Sequence, residues 1–351
     1  MSTWRELART GRLGQFTILC LGVWLHAADS FLAATTMPSA VEQIGGVAFI
    51  NWAIALYQLG GIVSGACSAL AARRFGMRDV IIGAAFCYAV GCVASALAPD
   101  IGIMLGGRVL QGVGGGAMVA ITYVAAQAMF PERFWTRLMA ITSAIWGVSA
   151  LCGPLVGGLF ATAGLWRGAF WAFAGQAVVL AATAAIFLRG LPRTSQGPRV
   201  VPLRPLAMLV AATLAIATAG VAPGDALAAG LGVLGLGLLW LAARLDARAR
   251  ARLMPRELLR FGHPVGAGLL MIVAMTVGSS SFTSYGPLLL EVLYRATPLV
   301  AGSVVAAGSV SWTVATLLIA NVAERWDRPL IRGGLVMVLL SCVLFEAFVP
   351  W

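Results

Sequence analysis

Two charged side chains of opposite sign stand inside long apolar runs. Asp29 lies in the run 14–37, and Arg108 lies in the run 102–128, about two turns from its outer end. A charge inside a bilayer costs about 2.5–3.5 kcal/mol or more, so such residues are functional candidates by default. The chemistry open to them is proton exchange. Burial drives a carboxyl toward its neutral acid, and a neighbouring arginine drives it back toward the carboxylate. A carboxyl held in that balance can take a proton on one side of a membrane and lose it on the other. The alternative is that Asp29 and Arg108 pair only to fix the packing of two helices. His26 stands one turn before Asp29 on the same face, placed either to assist proton transfer or to pack through a hydrogen bond. His26 and His263 are the only histidines. The six cysteines (Cys20, Cys67, Cys87, Cys92, Cys152 and Cys342) all fall in apolar runs, with no CxxC. They read as small hydrophobes, and neither a metal site nor another cofactor is expected.

The elements that must position these residues follow from hydropathy. Of 351 residues, 60% are hydrophobic and 11% charged, far from the roughly 25% charged of soluble domains. Mean hydropathy is +0.92. Eleven apolar runs are long enough to span a bilayer or nearly so: 14–37, 50–71, 80–98, 102–128, 137–161, 168–188, 206–222, 226–243, 264–287, 298–322 and 331–350. Non-alternating runs of this length predict helices and not barrel strands. The fold class expected is an all-α polytopic bundle of about eleven transmembrane helices.

Orientation follows from the arginines, the sole source of the net charge of +11 excess. With the N-terminus in the cytoplasm, twenty-one of the 24 fall in cytoplasmic segments, while Arg167 and Arg295 fall outside. This spacing fits topology anchors meeting lipid headgroups and argues against a nucleic-acid partner. A membrane enzyme would need clustered His, Asp or Glu at the membrane edge, and the sequence offers no such cluster, so no enzymatic activity is expected.

The proline-containing polar stretch at 192–205 predicts a cytoplasmic linker after a six-helix lobe, 1–191. A two-helix pair at 206–243, a basic amphipathic segment at 244–263 and a three-helix partial lobe at 264–351 are expected to follow. Segment 244–260, with six arginines among leucines, is expected on the cytoplasmic membrane surface.

Runs four and five carry small residues at fixed offsets. Run four reads Arg108-x-x-Gln111-Gly112-x-Gly114-Gly115-Gly116; run five reads Gly147, then Gly153-Pro154-x-x-Gly157-Gly158. Small residues let membrane helices approach closely. In run four they are also expected to leave Arg108 open to a cavity, and Pro154 is expected to bend run five by freeing a carbonyl. Together the two segments resemble the drug:proton antiporters of the major facilitator superfamily. Supporting features are Asp29 nine residues before Pro38, Trp52 and Tyr57 opening run two, and Trp166-Arg167 before run six. Tyr285–Glu291 and Thr297–Gly302 resemble a junction in the fourteen-span branch, whose extra helix pair runs seven and eight would supply. On that resemblance three further spans would follow Trp351, and the 351-residue chain is expected to be a C-terminally truncated carrier and a poor transporter alone.

The resemblance implies proton-coupled efflux of small amphipathic compounds across the bacterial inner membrane by alternating access. Asp29 would take the proton and Arg108 would tune it. His26, Tyr57, Gln111 and Trp146 would line the substrate cavity, with Glu291 near its outer mouth. Gly112, Gly147, Gly153, Pro154, Gly157 and Gly158 would form the packing and conformational motif. Arg74, Gly76 and Arg78 match the family's cytoplasmic gate loop, with Asp79 as a substitute acid. Two positions depart from that loop: Ala69 stands where the family has Gly, and Arg73 where it has Asp. The alternatives are a non-transporting membrane remnant or scaffold and a metabolite uptake carrier of the same superfamily.

Overall fold

A computed structural model of the chain describes residues 4–191, 200–249, 262–276, 298–319 and 324–348, with isolated residues between them. The described residues are helical, joined by turns and short irregular segments. Those used below are α1 (Trp4–Arg9), α2 (Leu13–Ile44), α3 (Ile50–Phe75), α4 (Met77–Ala96), α5 (Ile101–Met129), α6 (Trp135–Thr162) and α7 (Trp166–Phe187). They are followed by α8 (Leu203–Ala219), α9 (Asp225–Arg248), α10 (Pro264–Thr276), α11 (Pro298–Ile319) and α12 (Asp327–Phe348). Among the described residues, seven helical segments are long and apolar enough to cross a membrane, corresponding to α2 to α7 and α9. The chain is an all-helical polytopic membrane protein.

Local chemistry explains the boundaries. The side chain of Asp100 accepts the Ile103 N–H at 3.1 Å and caps α5, meeting one of the donors left free at a helix start. At its other end, Phe130 is extended and Pro131 follows, which disfavours further helix. Between α3 and α4 the chain turns on Gly76 alone, at φ +91°, a left-handed conformation that glycine adopts without penalty.

At the centre lies α5, packed against α3, α4 and α2; α6 and α7 pack on α2 and α4. Close approach needs the missing side chains. A Cβ on Gly114 would lie 2.5 Å from the Ala84 carbonyl oxygen and 2.6 Å from the Tyr88 amide nitrogen. One on Gly112 would collide with the Tyr57 backbone. The buried core between these helices includes Phe16, Leu25, Tyr88, Met118, Phe134 and Phe173. Outward-facing residues are apolar too, Phe86, Leu159, Val178, Val179 and Phe187 among them. Water would not tolerate so much contiguous apolar surface, whereas hydrocarbon does.

Run seven keeps its length but shifts three residues toward the N-terminus, as the 17-residue α8, which packs on α9. The basic segment read as starting at 244 also differs: α9 continues to Arg248. Arg244 stacks over Trp240 at 4.5 Å, and arginines in a last helical turn suit its negative dipole end. Within the remainder of that segment, residues 250–251, 254–256, 258–259 and 261 lie outside the described residues. Pro154 sits inside α6, which runs as one helix from Trp135 to Thr162.

Candidate functional site

Arg108 projects from α5 toward α2 and α3. It donates through Nη1 to both carboxylate oxygens of Asp29, at 2.8 and 3.0 Å, and to Gln111 Oε1 at 2.7 Å. Its Nε donates to the Ala53 carbonyl at 3.4 Å. Asp29 and Arg108 are each 1% exposed. The glycines following Arg108 therefore do not leave it open. They let α3 and α4 reach the α5 backbone, and the guanidinium is closed in by its partners.

The face of Tyr57 lies under this cation, with the guanidinium carbon 4.2 Å from the ring centroid. Its hydroxyl meets His26 Nδ1 at 2.8 Å and donates toward the His26 carbonyl at 3.0 Å. The His26 and Tyr57 rings stack, with centroids 5.2 Å apart and planes 15° apart. Trp146 from α6 sets its ring edgewise against His26 at 5.8 Å and Phe31 at 6.3 Å. Gly115 makes room for this arrangement, since a Cβ there would lie 2.5 Å from His26 Nδ1.

Of the residues expected at the site, Asp29, Arg108, His26, Tyr57, Gln111 and Trp146 come together in one cluster. Tyr57 and Gln111, read as cavity lining, are fully buried here and face their partners in place of open space. Glu291 lies outside the described residues. The hydrogen-bonded neighbour that the sequence did not mark is Cys92, which accepts from Gln111 Nε2 at 3.1 Å and so orients the amide oxygen toward Arg108. A thiol in an apolar run carries no polar signal of its own. Its one clue is a position four residues after Tyr88, on the α4 face that meets α5.

The glycines of α6 divide. Cβ atoms on Gly153 and Gly157 would press on α2, at Phe31 and Ala28 for the first and at Thr35 and Leu32 for the second, and Gly147 is buried. A Cβ on Gly158 would meet open space, so the four do not form one flat face. In the first turn of α4, Arg78 donates through Nη2 to the Ala185 carbonyl near the end of α7, at 2.7 Å, and pairs with exposed Asp79 at 3.5 Å. Arg74 stacks over Phe75 at 5.4 Å. At the opposite end of the bundle, Gln43 Oε1 accepts from Trp166 Nε1 at 2.9 Å and from Arg167 Nη1 at 3.0 Å. That contact ties the end of α2 to the start of α7.

Comparison with known proteins agrees with this architecture. The chain is 32% identical over 328 residues to a probable multidrug-efflux transporter of Mycobacterium tuberculosis, covering 91% of this chain and 68% of that protein. It is 28% identical over 365 residues to an MFS-type transporter of the same species, covering 92% of this chain and 52% of that one. Azole resistance protein 1 of Saccharomyces cerevisiae shares 27% over 153 residues, 44% of this chain and 25% of its own length. Among solved structures, the proton:xylose symporter XylE bound to 6-bromo-6-deoxy-D-glucose superposes with a TM-score of 0.57 at 17% identity, over 87% of this chain and 67% of that one; this likeness speaks for the fold. The family profile described as Major Facilitator Superfamily matches residues 19–351, the helical bundle and its buried pair included. With a family match over nearly the whole chain and a relative at 32% identity, the chain belongs to the Major Facilitator Superfamily.

Proposed function

We propose that this chain serves proton-coupled export of small amphipathic compounds across the bacterial inner membrane, with Asp29 as the proton carrier and Arg108 as its counter-charge. The observation that carries the reading is the Asp29–Arg108 pair, 1% exposed on each side and held at 2.8 Å between α2 and α5. Taking two charges out of water is costly, and the pair is a poor device for stability alone. A carboxyl whose counter-ion is fixed can exchange its proton when a conformational change opens it to one side. The partners are protons, the bilayer and a small amphipathic substrate. Export as the direction is supported by the similarity to a probable multidrug-efflux transporter of M. tuberculosis. His26, Tyr57 and Trp146 supply aromatic surface at the pair, suited to amphipathic cations once the cluster opens. The arginine distribution supports an N-terminus in the cytoplasm, and in that orientation Arg74, Gly76, Arg78 and Asp79 serve as the cytoplasmic gate segment.

The test is ethidium accumulation in cells lacking their own pumps. Against the sequence expectation of a poor transporter, expression of the chain lowers accumulation, a protonophore restores it, and Asp29→Asn abolishes the effect at equal membrane abundance. Undiminished efflux by Asp29→Asn would leave Asp29 with a packing role only.

A further inference from the structure

The geometry points to Tyr57, pinned by His26, as the partner that holds Arg108 while Asp29 carries a proton. This rests on the proposed role of Asp29 and adds a positioning device to it. When the carboxylate takes a proton, the guanidinium stays charged, because arginine does not deprotonate in proteins. It is then a buried cation whose remaining hydrogen-bond acceptors, Gln111 Oε1 and the Ala53 carbonyl, are neutral. The ring of Tyr57 presents its negative face to that cation at 4.2 Å. A cation paired with a carboxylate shows the ring little net charge; one that has lost its partner shows the full charge. The ring therefore favours the state with Asp29 neutral over the ion-paired state.

For this the ring must not turn away, and its hydroxyl is held twice. It meets His26 Nδ1 at 2.8 Å and the His26 carbonyl at 3.0 Å, with the imidazole stacked alongside. His26 acts through Tyr57 and does not touch Arg108 by any hydrogen bond among the described residues. The titratable and charged groups facing the cluster are Asp29 and His26 from α2, Tyr57 from α3, Tyr88 and Cys92 from α4, and Arg108 from α5. Trp146 of α6 adds an uncharged ring edge. In the exchange step one proton moves from water to an Asp29 carboxylate oxygen, and the Arg108–Asp29 ion pair is lost; no other group changes charge.

The experiment reads Asp29 protonation without requiring transport. N,N′-dicyclohexylcarbodiimide reacts with neutral carboxyls in apolar surroundings, and its adduct at Asp29 is measured by peptide mass spectrometry across pH on the full chain in nanodiscs. Tyr57→Leu moves half-maximal labelling to lower pH, by about one unit or tenfold in proton concentration. Tyr57→Phe, which keeps the ring, moves it by less than half as much, and His26→Gln, which frees the ring, falls between. A Tyr57→Leu profile that coincides with the parent overturns the inference, as does a Tyr57→Phe shift as large as that of Tyr57→Leu. If Tyr57→Leu does not fold, His26→Gln decides: an unshifted profile overturns the inference. A parent chain that never labels at Asp29 instead overturns the proton-carrier reading, and this inference falls with it.

Discussion

Removing Arg108 alone should damage the bundle more than removing the whole ion pair. In Arg108→Ala, Asp29 stays at 1% exposure and loses both hydrogen bonds recorded to its carboxylate among the described residues. Breaking a buried pair from one side costs about 3–5 kcal/mol, because an uncompensated charge is left behind. Replacing both members with apolar residues of similar size, as in Asp29→Leu/Arg108→Met, removes the desolvation cost along with the attraction and is often close to neutral. Cys20 provides the readout. It is 4% exposed in the core of α2, away from the pair, so its thiol reacts only when the bundle opens. With the other five cysteines replaced by serine, maleimide labelling of Cys20 in detergent should accelerate roughly 10²–10⁴-fold in Arg108→Ala. The apolar double variant should recover most of that protection. Labelling of Arg108→Ala within threefold of the parent, or a double variant no better protected than the single, would refute the energetic reasoning.

Gly114→Ala should destabilise by about 1–3 kcal/mol, since its Cβ meets α4 backbone, whereas Gly106→Ala, whose Cβ meets nothing within 4 Å, should stay within about 0.5 kcal/mol; Cys20 protection checks both. Gly115→Ala places a methyl beside His26 Nδ1 and the Tyr57 hydroxyl, so it should shift the Asp29 labelling profile in the direction of His26→Gln, as carbodiimide labelling will show. A cytoplasm-active reporter fused after Arg189 and a periplasm-active reporter fused after Gly46 should both be active; the reverse pattern would invert the proposed orientation.

The helices were largely legible because membrane insertion is written locally. Twenty apolar residues in a row specify a spanning helix whatever their neighbours do. The buried pair was legible for a related reason: Asp29 and Arg108 are conspicuous in runs that otherwise carry almost no charge. What joins them was harder to read. The stacking of Tyr57 under Arg108 depends on the register of α3 against α5, set where Gly112 meets the Tyr57 backbone. Glycine spacing announces that some helix comes close, but not which one or which residue faces the charge. That is why the glycines suggested an open cavity where the structure shows packed backbone. Cys92 left no trace in hydropathy, although it turns Gln111 toward the cation. The basic segment after residue 244 misled because the arginines that mark a membrane surface also suit the C-terminal turn of a helix.

The central claim is that Asp29 couples substrate movement to proton movement, and it is tested most directly in proteoliposomes. The purified chain and Asp29→Asn are compared in two modes: ethidium transport driven by an imposed pH gradient, and ethidium exchange at equal pH on both sides. The account predicts that the parent performs both, and that Asp29→Asn keeps exchange while losing gradient-driven transport. Gradient-driven transport by Asp29→Asn at the parent's rate would contradict it.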